Sequence, residues 1–264
     1  MQFLDKRVKV ICEELKKLRV KQTFAMDNWK YREGNFIRPE DAAACEETEP
    51  GKEVWEDFDC QTMHWYGKDR HYWFRTVYTV PRELDGKRMW FHVRTQIDEW
   101  DDAKNPQFLL FVNGEAVQGI DMNHREVFLS PCAKAGEEIT LELQAYTGIL
   151  HSEFNLITQM QEIDERIEKL YYDLWVPLAA FTRMEEDDKN RRDIEEILNH
   201  AVNFLDLRTP YSEEFYRTLD EASAYIEEAL YSKRAGYSDV IATCIGHTHI
   251  DVAWWWTVAQ TREK

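Results

Sequence analysis

Residues 107–119, QFLLFVNGEAVQG, indicate the fold of the central part of the chain. Asn113-Gly114 separates two runs of alternating apolar residues, and both turn positions tolerate the positive φ of a two-residue hairpin turn. Further runs with a period of two lie on either side of this hairpin: HYWFRTVYTV at 71–80, KRMWFHVRTQI at 87–97, REVFLS at 125–130 and EEITLELQAY at 137–146. Their aromatic and β-branched side chains are typical of strands. Residues 63–150 are therefore predicted to form an antiparallel, jelly-roll-like β-sandwich.

A helix is predicted at the start of the chain, where apolar side chains recur every three to five residues and form one stripe. The stripe consists of Phe3, Val8, Ile11, Leu15 and Leu18. Residues 20–60 are mixed in character and contain glycine and proline as breaks, which predicts a largely irregular segment with at most short elements. Residues 1–62 are interpreted as an N-terminal helix followed by this irregular approach to the sandwich.

A helical connector is predicted over residues 151–235, because the apolar period returns to 3.6 after Gly148. The first helix is long and is expected to weaken near Pro177, which has no backbone N–H to donate. Thr209-Pro210 is interpreted as the N-cap and first residue of the last helix. The three apolar faces are Leu156, Met160, Ile163, Ile167, Leu170 and Leu174; Ile194, Ile197, Leu198, Ala201 and Leu205; and Phe215, Leu219, Ala222, Ile226 and Leu230.

Composition narrows the classes of partner. The formal net charge of −17 disfavours nucleic acid and anionic membranes, because both require clustered Lys and Arg, and it favours a neutral or cationic ligand. The five cysteines are scattered, which argues against a disulfide framework and predicts a cytoplasmic location. The N-terminal residues contain no hydrophobic targeting segment, and no apolar run reaches the length of a membrane span. The sequence leaves the oligomeric state open, with a homo-oligomer among the options.

The last residues, DVIATCIGHTHIDVAWWWTVAQTREK at 239–264, differ in character from the helical connector. The apolar run 240–245 is typical of a strand that is buried on both faces, as in a parallel sheet. Residues 236–264 are therefore predicted to begin an α/β domain, with one strand and one helix present.

Three side chains that can bind a metal ion follow this predicted strand. His247, His249 and Asp251 alternate along the chain, so that in an extended conformation they project to the same side. Imidazole nitrogen and carboxylate oxygen are usual zinc ligands, and α/β folds place their sites at the C-terminal ends of parallel strands. The spacing therefore predicts a catalytic zinc site.

The run Gly246-His247-Thr248-His249-Ile250-Asp251, followed by Val252-Ala253-Trp254, resembles the opening motif of the catalytic domain in glycoside hydrolase family 38 α-mannosidases, particularly their cytosolic and bacterial branch. The sandwich is also similar to the N-terminal region of that branch, at Trp73-Phe74-Arg75, Val80-Pro81, Val112-Asn113-Gly114-Glu115 and Ala145-Tyr146-Thr147-Gly148. The resemblance implies an α+β chain that stops early in a (β/α) barrel-type catalytic domain. It also implies the N-terminal portion of a zinc-dependent, retaining hydrolase that acts on terminal α-mannosides of oligosaccharides.

The resemblance further implies roles for individual residues. His249 and Asp251 match two of the family's four protein ligands for Zn2+, and Trp254 matches the aromatic residue that packs against the mannose ring. His247 belongs to the motif without being a ligand and is expected to support the site through a hydrogen bond.

The same resemblance predicts that the chain alone is inactive. The family's carboxylate nucleophile, its acid/base and its remaining zinc ligands have no counterpart in this sequence, so no catalytic residue is assigned. With two ligands only, zinc is expected to bind weakly or not at all. The tail after residue 236 is expected to be poorly ordered, to pair with another chain or to become helical.

Two other interpretations are open. In an amidohydrolase-type metal enzyme, His247 and His249 would both bind metal and Asp251 would be incidental. In a non-catalytic carbohydrate-binding module, aromatic side chains of the sandwich would hold the glycan, with Trp65, Trp90 and Trp100 as candidates. Further His ligands and a bridging Lys in a longer gene product would favour the amidohydrolase, whereas saturable fluorescence quenching by glycans would favour the module.

Overall fold

The computed structural model describes residues 4–44, 54–97, 106–232 and 243. The chain divides into two compact units. Within the described residues, a helical unit contains residues 4–21 and 163–232, and a sandwich unit contains the residues between 22 and 162. The predicted mixed class, with helices and antiparallel sheets, is confirmed. The strand and helix predicted for residues 236–264 lie, apart from Thr243, outside the described residues.

The helical unit is built around one hydrophobic core to which each of its helices contributes an apolar face. In chain order the described helices are α1 (Leu4–Leu18), α2 (Pro39–Ala44), α3 (Glu165–Phe181), α4 (Lys189–Asn203) and α5 (Glu213–Ile226), and a π-helical turn (Glu227–Ser232) follows α5. The short helix α2 belongs to the sandwich unit. The predicted N-terminal helix is confirmed, as are the last two helices. Among the described helices, none combines the length and apolarity needed to cross a membrane.

Side-chain caps set the starts of three of these helices, and Asp188 caps α4 by accepting from the Asn190 N–H at 2.7 Å. Asp164 caps α3, accepting hydrogen bonds from the backbone N–H groups of Arg166 and Ile167. Ser212 caps α5, since its hydroxyl accepts from the Phe215 N–H at 3.1 Å. The prediction that Thr209-Pro210 begins the last helix is therefore wrong: the helix begins at Glu213, and Tyr211 has a φ of 67°, which a right-handed helix excludes.

Pro177 lies inside α3, which continues to Phe181, so the proline does not end the helix. Proline cannot donate to the carbonyl oxygen four residues earlier, which belongs to Asp173. The hydroxyl of Tyr231, in the π-helical turn, donates to this oxygen at 3.1 Å. A tertiary hydrogen bond thus replaces the missing helical one.

The strands of the sandwich unit form two larger sheets and one small one. In chain order they are β1 (Val20–Ala25), β2 (Asn28–Glu33), β3 (Glu56–Asp59), β4 (Trp65–Gly67), β5 (His71–Thr79), β6 (Met89–Arg94), β7 (Gln107–Val112), β8 (Glu115–Ile120), β9 (Glu126–Ser130), β10 (Glu138–Tyr146), β11 (Ser152–Phe154) and β12 (Ile157–Ile163). The four-stranded sheet has the order β1-β12-β6-β9, the six-stranded sheet has the order β3-β2-β5-β10-β7-β8, and β11 pairs with β4. After β5 the chain crosses repeatedly between the two larger sheets, as a jelly-roll-like sandwich requires.

The hairpin predicted at Asn113-Gly114 is confirmed. Both residues have positive φ, 52° and 85°, and they join β7 to β8. Asn113 also ties the turn to β10, because its backbone N–H donates to the Thr140 oxygen at 2.8 Å and its side-chain oxygen accepts from the Thr140 N–H at 2.9 Å. This turn therefore helps to fix the register of three strands.

The two larger sheets share one hydrophobic core. Strand β10 lies between β5 and β7, and its residue Leu143 is opposite Phe74 on one side and Leu110 on the other. All three side chains are fully buried, as are Phe91 and Met160 of the four-stranded sheet. Since a fully buried side chain of this kind stabilises a fold by about 1.5–3 kcal/mol, this layer dominates the stability of the sandwich.

Residues 152–163 form strands rather than a helix, so the predicted long helix after Gly148 is wrong at its start. Strands β11 and β12 occupy this segment, and β12 pairs with β6. Leu156 and Met160 are both buried in the sandwich core. Their spacing of four residues fits one face of a strand as well as one face of a helix. The sequence pattern alone therefore did not distinguish the strand from a helix.

The segment predicted as an irregular approach contributes to the sandwich. Strands β1, β2 and β3 enter the two larger sheets, and α2 lies between β2 and β3 in the chain. These elements are short, as predicted, but the boundary at residue 62 is wrong because the sandwich unit begins at Gln22. The sequences of β1, β2 and β3, VKQTFA, NWKYRE and EDFD, contain few apolar residues, so their period-two pattern is weak.

Candidate functional site

The residues predicted to bind zinc and mannose lie outside the described residues. This applies to His247, His249, Asp251 and Trp254, so the structure neither brings them together nor separates them. Within the described ranges, no group of three His, Cys, Asp or Glu side chains could hold a metal ion. The zinc site therefore stays a prediction from the sequence.

The binding-module hypothesis requires exposed tryptophans on the sandwich, at Trp65, Trp90 or Trp100. Trp65 is almost fully buried in the sandwich core and packs edge-on against Tyr72 and Phe74. Trp90 is half-buried, with its ring centroid 5.1 Å from that of Phe128. Trp100 lies outside the described residues. Trp65 is therefore a core residue, and its proposed role as an exposed sugar platform is wrong.

A cleft of about 410 Å³ lies on the outer face of the six-stranded sheet, the face that points away from the shared core. Strand pairing places its residues in two adjacent rows. Tyr146 is opposite His71 and Gln107 in the first row, and Leu109 is opposite Gln144 and Gly119 in the second. Because directly opposite residues of antiparallel strands share one face, these side chains converge although four strands contribute them.

The first row combines aromatic surface with polar groups. The ring of Tyr146 packs 4.8 Å from the imidazole of His71, centroid to centroid, and its hydroxyl donates to Asp69 Oδ1 at 2.8 Å. Asp69 accepts this bond from a loop position with φ of 55°, in the left-handed region. The Tyr146 ring is therefore held in one orientation at the end of the cleft.

The second row is held by a contact to the segment before α2. The side-chain Nε2 of Gln144 donates to the backbone oxygen of Phe36 at 2.7 Å. Phe36 itself packs against a small outer cluster of Trp55, Trp73 and Ala42, which covers the neighbouring part of the sheet. The cleft therefore begins where this cover ends, and Gln144 marks the boundary.

Asp121 directly follows β8 and lines the cleft. Its carboxylate is the negatively charged group among the described residues of the cleft. Burial raises its pKa, but the backbone N–H groups of Asn123 and His124 and the imidazole of His124 together lower it below its ordinary value. The imidazole nitrogen lies 3.0 Å from Asp121 Oδ1. The carboxylate is consequently ionised at neutral pH and is fixed by the turn that follows β8.

The cleft combines hydrogen-bonding groups with apolar surface. Its side chains offer amide, imidazole, phenol and carboxylate groups around the apolar surface of Leu109. Outside the cleft, Cys12 and Cys60 are unsuited to nucleophilic chemistry, since burial raises the pKa of both thiols to about 12. The arrangement can accept a polar, uncharged ligand through several hydrogen bonds.

The sequence analysis did not single out the cleft residues. A partial signal was present, because Gln107 and Leu109 alternate with the core residues Phe108 and Leu110 and must therefore lie on the opposite face. What the sequence lacked was the pairing of β10 with both β5 and β7, which brings Gln144 to the same place.

No family model and no curated protein matches the chain. It is similar to solved structures of a β-glucuronidase from Ruminococcus gnavus. The complex with C6-substituted uronic isofagomine has 12% sequence identity and a TM-score of 0.35, with 55% of this chain and 30% of that chain covered. The complex with D-glucuronic acid has 12% identity and a TM-score of 0.36, with the same coverage. The chain spans about 30% of the length of these structures, and at such TM-scores the likeness assigns no activity.

Proposed function

We propose that this chain forms the N-terminal portion of a zinc-dependent, retaining α-mannosidase similar to those of glycoside hydrolase family 38. One observation carries the proposal, namely the run from Gly246 to Trp254 directly after an apolar stretch. In this proposal His249 and Asp251 bind Zn2+, and the indole of Trp254 packs against the sugar ring. His247 positions a ligand through a hydrogen bond.

The substrate proposed is a terminal α-mannoside of an oligosaccharide. A neutral sugar suits a chain with a net charge of −17, which would repel an anionic substrate. Bound zinc would contact sugar hydroxyls and act as a Lewis acid, whereas cleavage with retention needs a close pair of carboxyl groups. Because no residue of this chain is assigned to that pair, the 264-residue chain alone is proposed to be inactive.

The test uses the longest gene product that contains this chain, assayed with an aryl α-mannoside before and after treatment with a chelator. Zinc removal should abolish turnover, and added zinc should restore it. The variants His249→Ala and Asp251→Ala should each lose at least about 100-fold in activity together with bound zinc, because each removes a ligand. His151→Ala is the matched control, since this histidine lies exposed on the sandwich and should change neither quantity.

His247→Ala separates the α-mannosidase from an amidohydrolase. For the α-mannosidase we expect zinc stoichiometry to be kept and activity to fall, because His247 only positions a ligand. Loss of metal in His247→Ala combined with full metal content in Asp251→Ala would instead support the amidohydrolase. Turnover that is unaffected by both His249→Ala and Asp251→Ala would overturn the proposal.

A further inference from the structure

We propose that the cleft on the outer face of the six-stranded sheet is a non-catalytic binding site for a neutral hexose unit of a glycan. The proposal rests on the cleft alone and does not depend on the hydrolase activity proposed above. It also differs from a tryptophan platform, because Trp65 is buried in the core and does not reach this face.

Size and shape fit one or two sugar rings. The cleft volume of about 410 Å³ falls within the range of about 300–1,000 Å³ that is typical of small-ligand sites. Leu109 provides apolar surface in the cleft, and the tilted rings of Tyr146 and His71, with centroids 4.8 Å apart, form one end. The C–H face of a pyranose is apolar and packs well on such surfaces.

The polar groups match sugar hydroxyls, which both donate and accept. Gln107 and Gln144 each carry an amide with two N–H donors and one oxygen acceptor. Gln144 is oriented by its bond to the Phe36 oxygen, which uses only one of its donors. Gln107 makes no side-chain hydrogen bond within the described residues. Two amides in adjacent rows can therefore bind vicinal hydroxyl groups.

Charge selects against acidic ligands. Within the described ranges, the residues that line the cleft include no Lys or Arg, while Asp121 contributes a carboxylate that stays ionised at neutral pH. An anion such as glucuronate or phosphate would meet this carboxylate without a compensating cation. The ligand is therefore a neutral sugar, with the Asp121 carboxylate available as a further acceptor.

Gly119 offers a way to block the site without disturbing the fold. It lies opposite Leu109 on β8, and no heavy atom lies within 4 Å of the position that a Cβ atom would occupy. A large side chain at this position would enter the cleft from an unstrained backbone. Val117, an exposed residue of the same strand that does not line the cleft, gives a matched control.

The experiment titrates the 15N-labelled 264-residue chain with methyl α-mannoside, methyl β-glucoside and glucuronic acid, and follows amide shifts by NMR. We expect saturable shifts with at least one neutral hexoside, concentrated at Gln107, Gly119 and Gln144, and no saturation with glucuronic acid. Gly119→Trp should weaken this binding at least tenfold, whereas Val117→Trp should leave it unchanged. If Gly119→Trp lowers the unfolding temperature, Gln107→Ala serves as a second variant. It should weaken binding of the neutral hexoside at least threefold.

Three results would overturn the proposal. They are the absence of saturation with both neutral hexosides, binding that Gly119→Trp and Gln107→Ala leave intact in folded protein, and glucuronic acid binding as tightly as the neutral sugars. Since none of these measurements involves turnover, their failure leaves the α-mannosidase proposal untouched. A failed activity test would likewise leave the binding site standing.

Discussion

The two faces of the six-stranded sheet are built from the same strands and have opposite characters. On the inner face Phe74, Leu110 and Leu143 are fully buried against the four-stranded sheet. On the outer face of the same strands lie Gln107, Leu109 and Gln144, which alternate with core residues, remain half-exposed and line the cleft. Alternation along each strand thus separates the residues that specify the fold from those that are available for binding.

The outer face is itself divided. One part is covered by a cluster in which Trp73 and Phe111 of the sheet pack against Trp55 and Ala42, so that Trp73 is completely buried. The remaining part, beyond Gln144, stays accessible as the cleft. The comparison teaches that exposure on this sheet is decided by which segment covers it, since the strands alone would leave the whole outer face open.

The largest expected effect contrasts one leucine on each face. Leu141→Ala, on the inner face of β10, should lower the free energy of unfolding by about 2–5 kcal/mol, because it leaves a cavity in the shared core. Leu109→Ala, on the outer face of β7, should lose less than half as much because its side chain is only half-buried. Urea denaturation measures both values. Equal losses would show that the outer face is packed as tightly as the inner one.

A medium effect is expected from Thr158, a polar residue within the otherwise apolar core. Its hydroxyl donates to the Met26 oxygen at 2.6 Å and accepts from Trp29 Nε1 at 3.0 Å. Thr158→Val keeps the volume but removes both bonds, so we expect a loss of about 1–3 kcal/mol in the free energy of unfolding. Thr79→Val, at an exposed position of β5, is the control and should change the value by less than about 0.5 kcal/mol. A Thr158→Val variant as stable as the original would mean that these bonds contribute nothing net.

The smallest expected effect concerns Glu142, a buried carboxylate beneath the covered part of the outer face. Burial raises its pKa above the ordinary value, and Arg75, whose Nε lies 3.5 Å from Glu142 Oε1, lowers it only in part. The folded state therefore binds the proton more tightly than the unfolded state, so this residue's contribution to stability is lost as pH rises through the folded pKa. Glu142→Gln removes that loss. Its gain in unfolding free energy should be larger at pH 7 than at about pH 3, where this carboxyl is mostly protonated in both states.

Thermal or urea unfolding of Glu142→Gln and the original chain across this pH range provides the measurement. The control is Glu138→Gln, at an exposed position at the start of β10, which should show no pH-dependent gain in unfolding free energy. Gln144→Glu is not used because Gln144 lines the cleft. A gain that increases on acidification would contradict the raised pKa and with it the view that this part of the outer face excludes water.

Much of the fold follows from local sequence. The hairpin at Asn113-Gly114 and the strands around it have strong period-two patterns, and α4 and α5 have equally clear helical faces. Such patterns lie within about ten residues of each other and need no partner to be recognised. The run from Gly246 to Trp254, predicted to include zinc ligands, was equally visible in the sequence, but it lies outside the described residues.

The tertiary structure decided the features that depend on distant partners. Leu156 and Met160 fit a helix or a strand equally well, and only pairing with β6 makes residues 157–163 the strand β12. Pro177 remains inside α3 because Tyr231, far away in sequence, hydrogen-bonds the carbonyl that proline leaves unpaired.

The cleft is the clearest case of this division. The sequence by itself determined that Gln107 and Leu109 face away from the core residues beside them, since side chains alternate along a strand. Only the folded chain decided that Gln144, His71 and Gly119 join them, because β10 pairs with both β5 and β7, and β7 pairs with β8. The alternation of side chains along a strand assigns each residue to one face of the sheet. Pairing between strands that are distant in sequence decides which residues lie next to it on that face.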